Sequence, residues 1–535
     1  MVNRLRRYAG QYPIPVVLLA YLALSVLLRL PFSFVSGIDW DEGTFVIMGQ
    51  EILDGYLPYT RLWDFKPPLA FAAYALAIAT LGHSIEAVRV AGTICVALTG
   101  LAVYVVARRA MPPVIARLAG VVTIVVMVAQ RAGQATMTEH FAAAILTWGL
   151  VALLASGESR PILVIAGALL MAGALIRLHL AYTLAAVIVG AGLRPGGGPA
   201  RRRIADVGML VAGAVVTLST VLAPYVYTGN HDVLIRSAAL GLLAGGRGPW
   251  ESFSAVVKLA GSLVHDPLLG LTVWAAGLLG SMLLFVRRTE GAEPKQWRFW
   301  LVVVLLSSSY SVIAIGAGSG HYLILLVPMY VLVAFAVMSR DSLNRRLRHA
   351  YFLVLAAGLL IALVPIASEY RDLSTRLLRD GHLRVGRAYE LARILAAQSR
   401  APVPMYLMEE HVVYWLTGNR PLTPMSTHPS NIAKRDILRV MRGPNATPIE
   451  ELQLIFAQAP RFVARPTEIR YLKSEPAALT WLDGELASRY RLIDSIDGLQ
   501  LYRLTSPDVA ARGDQLRQPG VFLRRGVSAN RVPIF

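Results

Sequence analysis

The chain is poor in cysteine, in lysine and in charge altogether. A single cysteine, Cys95, in 535 residues excludes a disulfide scaffold and any multi-cysteine metal site. Charged residues make up 16%, where a soluble domain carries roughly 25%, so a soluble globular protein is a poor fit. Lysine occurs only at Lys66, Lys258, Lys295, Lys434 and Lys473, and the other basic residues are arginines, a bias that suggests a GC-rich bacterial genome. No Walker A pattern and no His-Glu-x-x-His motif occur, so neither P-loop nor zincin chemistry is supported. No internal repeat is visible, and with it the inverted-repeat signature of many transporters is missing.

Apolar residues fill the space. They make up 55% of the chain, and the mean hydropathy is +0.54. A spanning helix needs about 20 mostly apolar residues. Runs of that kind lie near 14–35, 87–107, 113–130, 140–156, 161–177, 179–193, 204–226, 266–286, 298–316, 322–339 and 350–368. The expected fold is a polytopic α-helical membrane protein with about eleven transmembrane helices. The first run follows a basic start but lacks a small-x-small cleavage site, so it reads as an uncleaved anchor.

The net charge of +19 would suit nucleic acid in a soluble chain, but here it records topology. With Arg4, Arg6 and Arg7 in the cytoplasm, the even-numbered helices end inside. They end at Arg108 and Arg109, at Arg160, at Arg194 with Arg201–Arg203, at Arg287 and Arg288 with Lys295 and Arg298, and at Arg340 with Arg345, Arg346 and Arg348. The opposite short loops hold about seven: Arg61, Lys66, Arg89, Arg131, Arg177, Arg236 and Arg247. This bias places residues after about 369 outside a bacterial cytoplasmic membrane. It also argues against reading the apolar run 69–81 as a span. Residues 37–85 are therefore expected to be an outer loop with interfacial helices, anchored by Trp40, Tyr56, Tyr59 and Trp63.

The expected layout is a transmembrane module over 1–368, with outer loops at 37–85 and 227–257. A small extracytoplasmic α/β domain follows over 369–505, and a tail over 506–535. In the α/β domain 385–399 reads as a helix, Met405–Met408 and Arg461–Ala464 as strands, and Arg489–Leu504 as a hairpin around Asp497-Gly498.

The first outer loop concentrates the candidate chemistry. Asp39-Trp40-Asp41-Glu42 is followed by Glu51, Asp54 and Asp64, and then by Lys66-Pro67-Pro68, which opens an apolar run. A carboxylate there can deprotonate an acceptor hydroxyl, hold a divalent cation, or simply be a solvated loop charge. Lys66 at the bilayer boundary can pair with a phosphate. Further polar residues stand near the same side: Glu139 and His140 at the start of the fourth run, Arg177 and His179 between two short runs, His321 and Tyr322 before Pro328, Arg236 and Arg247 in the Gly-rich loop, and Arg29, which can snorkel or serve a site.

These residues together resemble the GT-C glycosyltransferases, in particular the bacterial branch related to protein O-mannosyltransferases and to the aminoarabinose and galacturonic acid transferases of lipid A. The likeness rests on Asp41-Glu42, Leu53-Asp54-Gly55-Tyr56-Leu57-Pro58-Tyr59, Lys66-Pro67-Pro68-Leu69, Thr138-Glu139 and His321-Tyr322 leading to Pro328. In the last third it rests on Met405–Met408, Tyr414-Trp415-Leu416-Thr417-Gly418 and Ala459–Val463. The resemblance implies an inverting glycosyltransferase, hexosyl or pentosyl, with a polyprenyl-phosphate-sugar donor and a lipid, glycan or protein acceptor. It implies that Asp41 is the catalytic carboxylate with Glu42 beside it. Lys66, Arg177, His321 and Tyr322 would meet the donor phosphate, and Glu139, His140, Trp40, Tyr59 and Arg247 would line the substrate site. Where the aminoarabinose transferases often carry Glu before Lys-Pro-Pro, this chain has Phe65 with Asp64 one place earlier. No metal is therefore assigned, although the acids admit a divalent cation. A flippase for polyprenyl-linked sugars, or another secondary transporter, is the competing expectation.

Overall fold

The computed structural model describes residues 13–505 except 131, 158, 195–197, 246–248, 264–266, 287–294, 316–317, 340–343 and 400. The expected tail 506–535 and Arg247 lie outside the described residues. Each of the eleven apolar runs contains a helix. In chain order the helices are α1 (Ile14–Arg29), α2 (Trp40–Leu53), α3 (Pro68–Leu81), α4 (Ile85–Ala107), α5 (Pro113–Ala129), α6 (Thr138–Ala155), α7 (Ile162–Ile176), α8 (Ala181–Leu193), α9 (Ala200–Tyr227), α10 (His231–Gly245), α11 (Pro249–Leu263), α12 (Ala276–Val286), α13 (Lys295–Ala314), α14 (Leu323–Met338) and α15 (Arg345–Asp380). Six stretches, Ile85–Ala107, Thr138–Ala155, Ala200–Tyr227, Lys295–Ala314, Gly320–Met338 and Arg345–Asp380, are long and apolar enough to cross a membrane. The other expected spans are shorter apolar helices. The chain is a multipass membrane protein.

The chain divides into two compact units. The first comprises Met1–Ser33, Arg89–Val221 and Gly245–His382. Its centre is α14, which is apolar on every side and buried over nearly all its length, as a helix without a polar face must be. It packs on α5, α6, α12 and α13. Helices α7 and α9 cross at glycines: a Cβ on Gly167 would overlap the Leu210 carbonyl oxygen, and one on Gly213 would overlap that of Val164. In lipid no hydrophobic force drives helices together, so such close backbone approach supplies the packing. Arg29 does not snorkel. Its buried guanidinium donates to Thr93 Oγ1 at 3.1 Å, to the Ala135 carbonyl at 3.1 Å and to that of Gly133, because a charge at this depth needs acceptors and the 133–135 turn provides them.

The second unit comprises Phe34–Val88, Leu222–Ala244 and Leu383–Phe535. The first long loop therefore groups with the last third of the chain. Here α2 packs on α3, and Pro68 sits at the first turn of α3, where its missing N–H costs nothing. Segment 222–244 is tied to the loop by Tyr225 Oη donating to the Pro58 carbonyl at 3.3 Å and by Trp63 Nε1 donating to Ser237 Oγ at 3.0 Å. The last third adds α16 (Arg387–Gln398), α17 (Val412–Leu416), α18 (Arg435–Arg442), α19 (Pro448–Phe456) and α20 (Pro476–Arg489) around a four-stranded sheet. Strands β1 (Met405–Leu407), β2 (Phe462–Pro466), β3 (Tyr490–Ile496) and β4 (Leu499–Leu504) run in the order β1-β2-β4-β3. The first pair is parallel, with Tyr406 opposite Val463, and the others are antiparallel. Asp497 and Gly498, at φ 42° and 78°, make the tight turn of the β3–β4 hairpin.

Two outcomes follow from this packing. Gly213→Leu should lower the thermal midpoint of the detergent-solubilised protein by several degrees, because the α7–α9 crossing cannot close over the new side chain; an unchanged melting curve would contradict the crossing. The second concerns His411, which burial, helped by the neighbouring His428, pushes down to about 3 from 6.5 despite the opposing Ser426 carbonyl. The unfolded chain then takes up a proton that the folded chain refuses. This contribution to stability falls as the pH drops below 6.5 and levels off near 3, with a slope of about 1.4 kcal/mol per pH unit. Comparing the wild type with His411→Gln between pH 7 and 4 should show the variant losing less stability.

Candidate active site

The acids of the second unit are placed by helix capping. Asp39 is the N-cap of α2 and accepts from the Asp41 backbone N–H at 3.0 Å. This puts Asp41 and Glu42 in the first turn, where the positive end of the helix dipole favours carboxylates. A turn at Asp64 performs the same service for Lys66: Asp64 Oδ1 accepts from the Lys66 backbone N–H at 3.2 Å. The carbonyl of Lys66 is bound by the Tyr59 hydroxyl. Tyr59 itself is buried in a left-handed backbone conformation, φ 72°, which a tyrosine adopts only where its surroundings hold it.

With its backbone fixed, the Lys66 ammonium lies 3.6 Å from Asp64 Oδ1 and 3.8 Å from Asp41 Oδ2. It also rests on the Phe65 ring at 3.8 Å, a cation–π contact. Asp64 is fully buried, and so is most of Lys66. The other oxygen of Asp41, Oδ1, meets His428 Nε2 at 2.9 Å. His428 reaches it because α2 lets the last third of the chain come close: a Cβ on Gly43 would stand 2.7 Å from the Val412 backbone nitrogen. Trp40, partly exposed, sets its ring edge-on to His428 at 5.7 Å and to Tyr471 at 6.3 Å.

The first unit holds a second polar cluster. Glu139, at the start of α6, is ion-paired with Arg177, which caps the end of α7. His321 Nε2 lies 3.5 Å from Glu139 Oε1. The Tyr322 ring stacks under the Arg177 guanidinium at 4.6 Å and beside His321 at 4.6 Å. His140 is buried one residue on, its Nδ1 accepting from the Met137 backbone N–H at 3.1 Å.

Residues 65–237 match the model of a family described as dolichyl-phosphate-mannose-protein mannosyltransferase. No curated protein sequence matches the chain. Among solved structures, the chain is similar to ArnT from Cupriavidus metallidurans bound to undecaprenyl phosphate, with a TM-score of 0.58 and 14% identity over 91% of this chain and 98% of that one. Apo ArnT gives 0.55 and 15% over 92% and 98%. The archaeal oligosaccharyltransferase AglB from Archaeoglobus fulgidus, in complex with an inhibitory peptide and a dolichol-phosphate, gives 0.50 and 10% over 92% and 74%. Identities this low speak of fold. The chain has the GT-C fold.

On this GT-C scaffold the residues singled out by sequence fall into two groups. Trp40, Asp41, Glu42, Tyr59 and Lys66 share the second unit, and Glu139, His140, Arg177, His321 and Tyr322 share the first. Two groups that matter at Asp41 and Lys66 carried little sequence signal. Asp64 stood in the loop motif as one acid among several. His428 is 387 residues from Asp41, and its surroundings, Thr427-His428-Pro429-Ser430, read as an ordinary turn. Among the described residues no three His, Cys, Asp or Glu side chains group to hold a metal ion. The Lys66 ammonium lies within 4 Å of both Asp41 and Asp64, so a divalent cation between those acids would meet a like charge.

The Lys66–Asp64 pair has a consequence for mutagenesis. Removing one member of a buried pair typically costs about 3–5 kcal/mol, because the survivor stays charged and uncompensated. Lys66→Met should therefore destabilise the protein markedly, and Lys66→Met combined with Asp64→Asn should recover much of the loss in a thermal-shift assay. Equal midpoints for the single and double variants would contradict the pairing.

Proposed function

We propose that this chain is a membrane glycosyltransferase that moves a sugar from a polyprenyl-phosphate donor to an acceptor hydroxyl, with inversion at the anomeric carbon. The observation that carries the reading is the Asp41 carboxylate held between His428 and Lys66 in the first long loop of a GT-C fold. Asp41 acts as general base: it takes the proton from the acceptor hydroxyl, whose oxygen bonds to the anomeric carbon as the bond to the donor phosphate breaks. Lys66 stabilises the negative charge that develops on the leaving phosphate. Glu42, next in the same helical turn, supports Asp41. Trp40 and Tyr59 border this site, Tyr59 by holding the Lys66 backbone.

The reading also assigns donor binding to Arg177, His321 and Tyr322. Glu139 acts there as counter-ion, with His140 and Arg247 as substrate contacts. Supporting this, the buried Nε of Arg177 and Nε2 of His179 have no hydrogen-bond partner among the described residues, as befits groups kept for a ligand. The match of residues 65–237 to a mannosyltransferase family and the undecaprenyl phosphate bound to ArnT favour a lipid-phosphate donor. The arginine asymmetry of the loops favours transfer on the outer, periplasmic side of the bacterial inner membrane, within cell-envelope assembly such as lipopolysaccharide modification.

Asp41→Asn should cut release of free polyprenyl phosphate from a polyprenyl-phosphate-sugar donor by at least about a hundredfold, the usual lower bound for loss of a general base. Expression and donor binding should remain near wild type. Full transfer by that variant would sink the assignment. Donor transported intact by the wild type, with no polyprenyl phosphate released, would favour a flippase.

A further inference from the structure

Resting on the role proposed for Asp41, the geometry points to His428 as the positioning residue that fixes this carboxylate for proton abstraction. The argument begins with the ring itself. His428 Nδ1 accepts from the Ser430 backbone N–H at 3.2 Å, and the Ser430 hydroxyl lies 3.0 Å from the same nitrogen. A nitrogen that accepts from a backbone amide carries no proton, so Nε2 is the protonated one. The 2.9 Å contact is then an N–H donated by His428 to Asp41 Oδ1. It sets the carboxylate plane and turns Oδ2 toward Lys66.

The segment that bears His428 is anchored residue by residue. The Ser426 carbonyl lies 3.0 Å from His411 Nε2. The Thr427 carbonyl accepts from the Thr44 hydroxyl on α2 at 3.2 Å, and the Thr427 hydroxyl accepts from the Trp63 backbone N–H at 3.3 Å. Thr44 lies three residues beyond Asp41, and Trp63 three residues before Lys66. The same two stretches that carry the base and the cation therefore also hold the residue preceding His428. Trp40 closes one side of the ring. A histidine needed only to cap a short turn would require the Ser430 contacts alone. The anchoring of 426–428 to α2 and to the Lys66 loop instead fixes Nε2 relative to Asp41, and a carboxylate misplaced by about 1 Å can cost a hundredfold in rate.

The test uses the full-length enzyme in detergent with a polyprenyl-phosphate-sugar donor. It compares His428→Gln, whose amide N–H can reach the place of Nε2, with His428→Met, which is similar in size and has no donor. His428→Met should lower kcat by about ten- to a hundredfold with donor KM within threefold of wild type, and His428→Gln should restore kcat to within about threefold. Equal losses in the two variants would overturn the role of the N–H, as would a rise in KM at unchanged kcat. Asp41→Asn is run alongside. If it is inactive while His428→Met is fully active, the positioning role fails and the base stands; if Asp41→Asn is active, the base reading fails, and this inference with it.

Discussion

The ion pair of Lys66 with Asp64 and Asp41 is the interaction from which the second unit is organised. A lysine ammonium buried to this degree needs opposite charge within reach, and the chain supplies it from both sides of the same loop. Asp64 does so locally, two residues away, and Asp41 from the first turn of a capped helix. The proline pair after Lys66 starts α3 without an orphan N–H, so the loop can end abruptly at the lysine. Tyr59 accepts an unfavourable backbone conformation to bind the lysine carbonyl. Each of these local choices is explained by the need to hold one cation beside two anions.

The cluster in the first unit follows another rule. Arg177 has a glutamate partner, so its charge is largely answered within the protein. Under the proposed donor-binding role, what it would offer a ligand is directional N–H groups beside the rings of Tyr322 and His321. Lys66 and Arg177 looked equivalent in sequence, as two basic residues near one membrane surface. They differ in what surrounds them: a compact ammonium between two carboxylates in one case, a planar guanidinium locked to a single carboxylate and an aromatic ring in the other.

Much of the fold was legible because bilayer burial writes itself into composition. Long apolar runs marked the six helices that are long and apolar enough to cross a membrane, and the Asp497-Gly498 pair marked the hairpin that forms. The first loop stood out as a candidate because a lysine followed by two prolines is unusual at the head of an apolar run. Other features were not legible. Arg29 could not be assigned to a buried role, since two of its acceptors are carbonyls of a turn more than a hundred residues away, at Gly133 and Ala135, and a third is the Thr93 hydroxyl. The pairing of Glu139 with Arg177 depends on how α6 and α7 meet, which periodicity does not specify. His428 was missed for the same reason: its contact with Asp41 rests on a register between α2 and a turn in the last third of the chain, and the turn sequence is bland.

The 387-residue separation of Asp41 and His428 also sets an order of events during synthesis. Among the described residues, every helix long and apolar enough to cross a membrane is synthesised before residue 428. Until then α2 and Lys66 can be in place while Asp41 still lacks the ring that orients it. Under the proposed role, the unfinished protein would sit in the bilayer among its lipid substrates with its base unaligned. Competence would arrive only when the segment around His428 has been made and folds back onto the loop that carries Asp41, so that a late stretch of the chain switches on an early one.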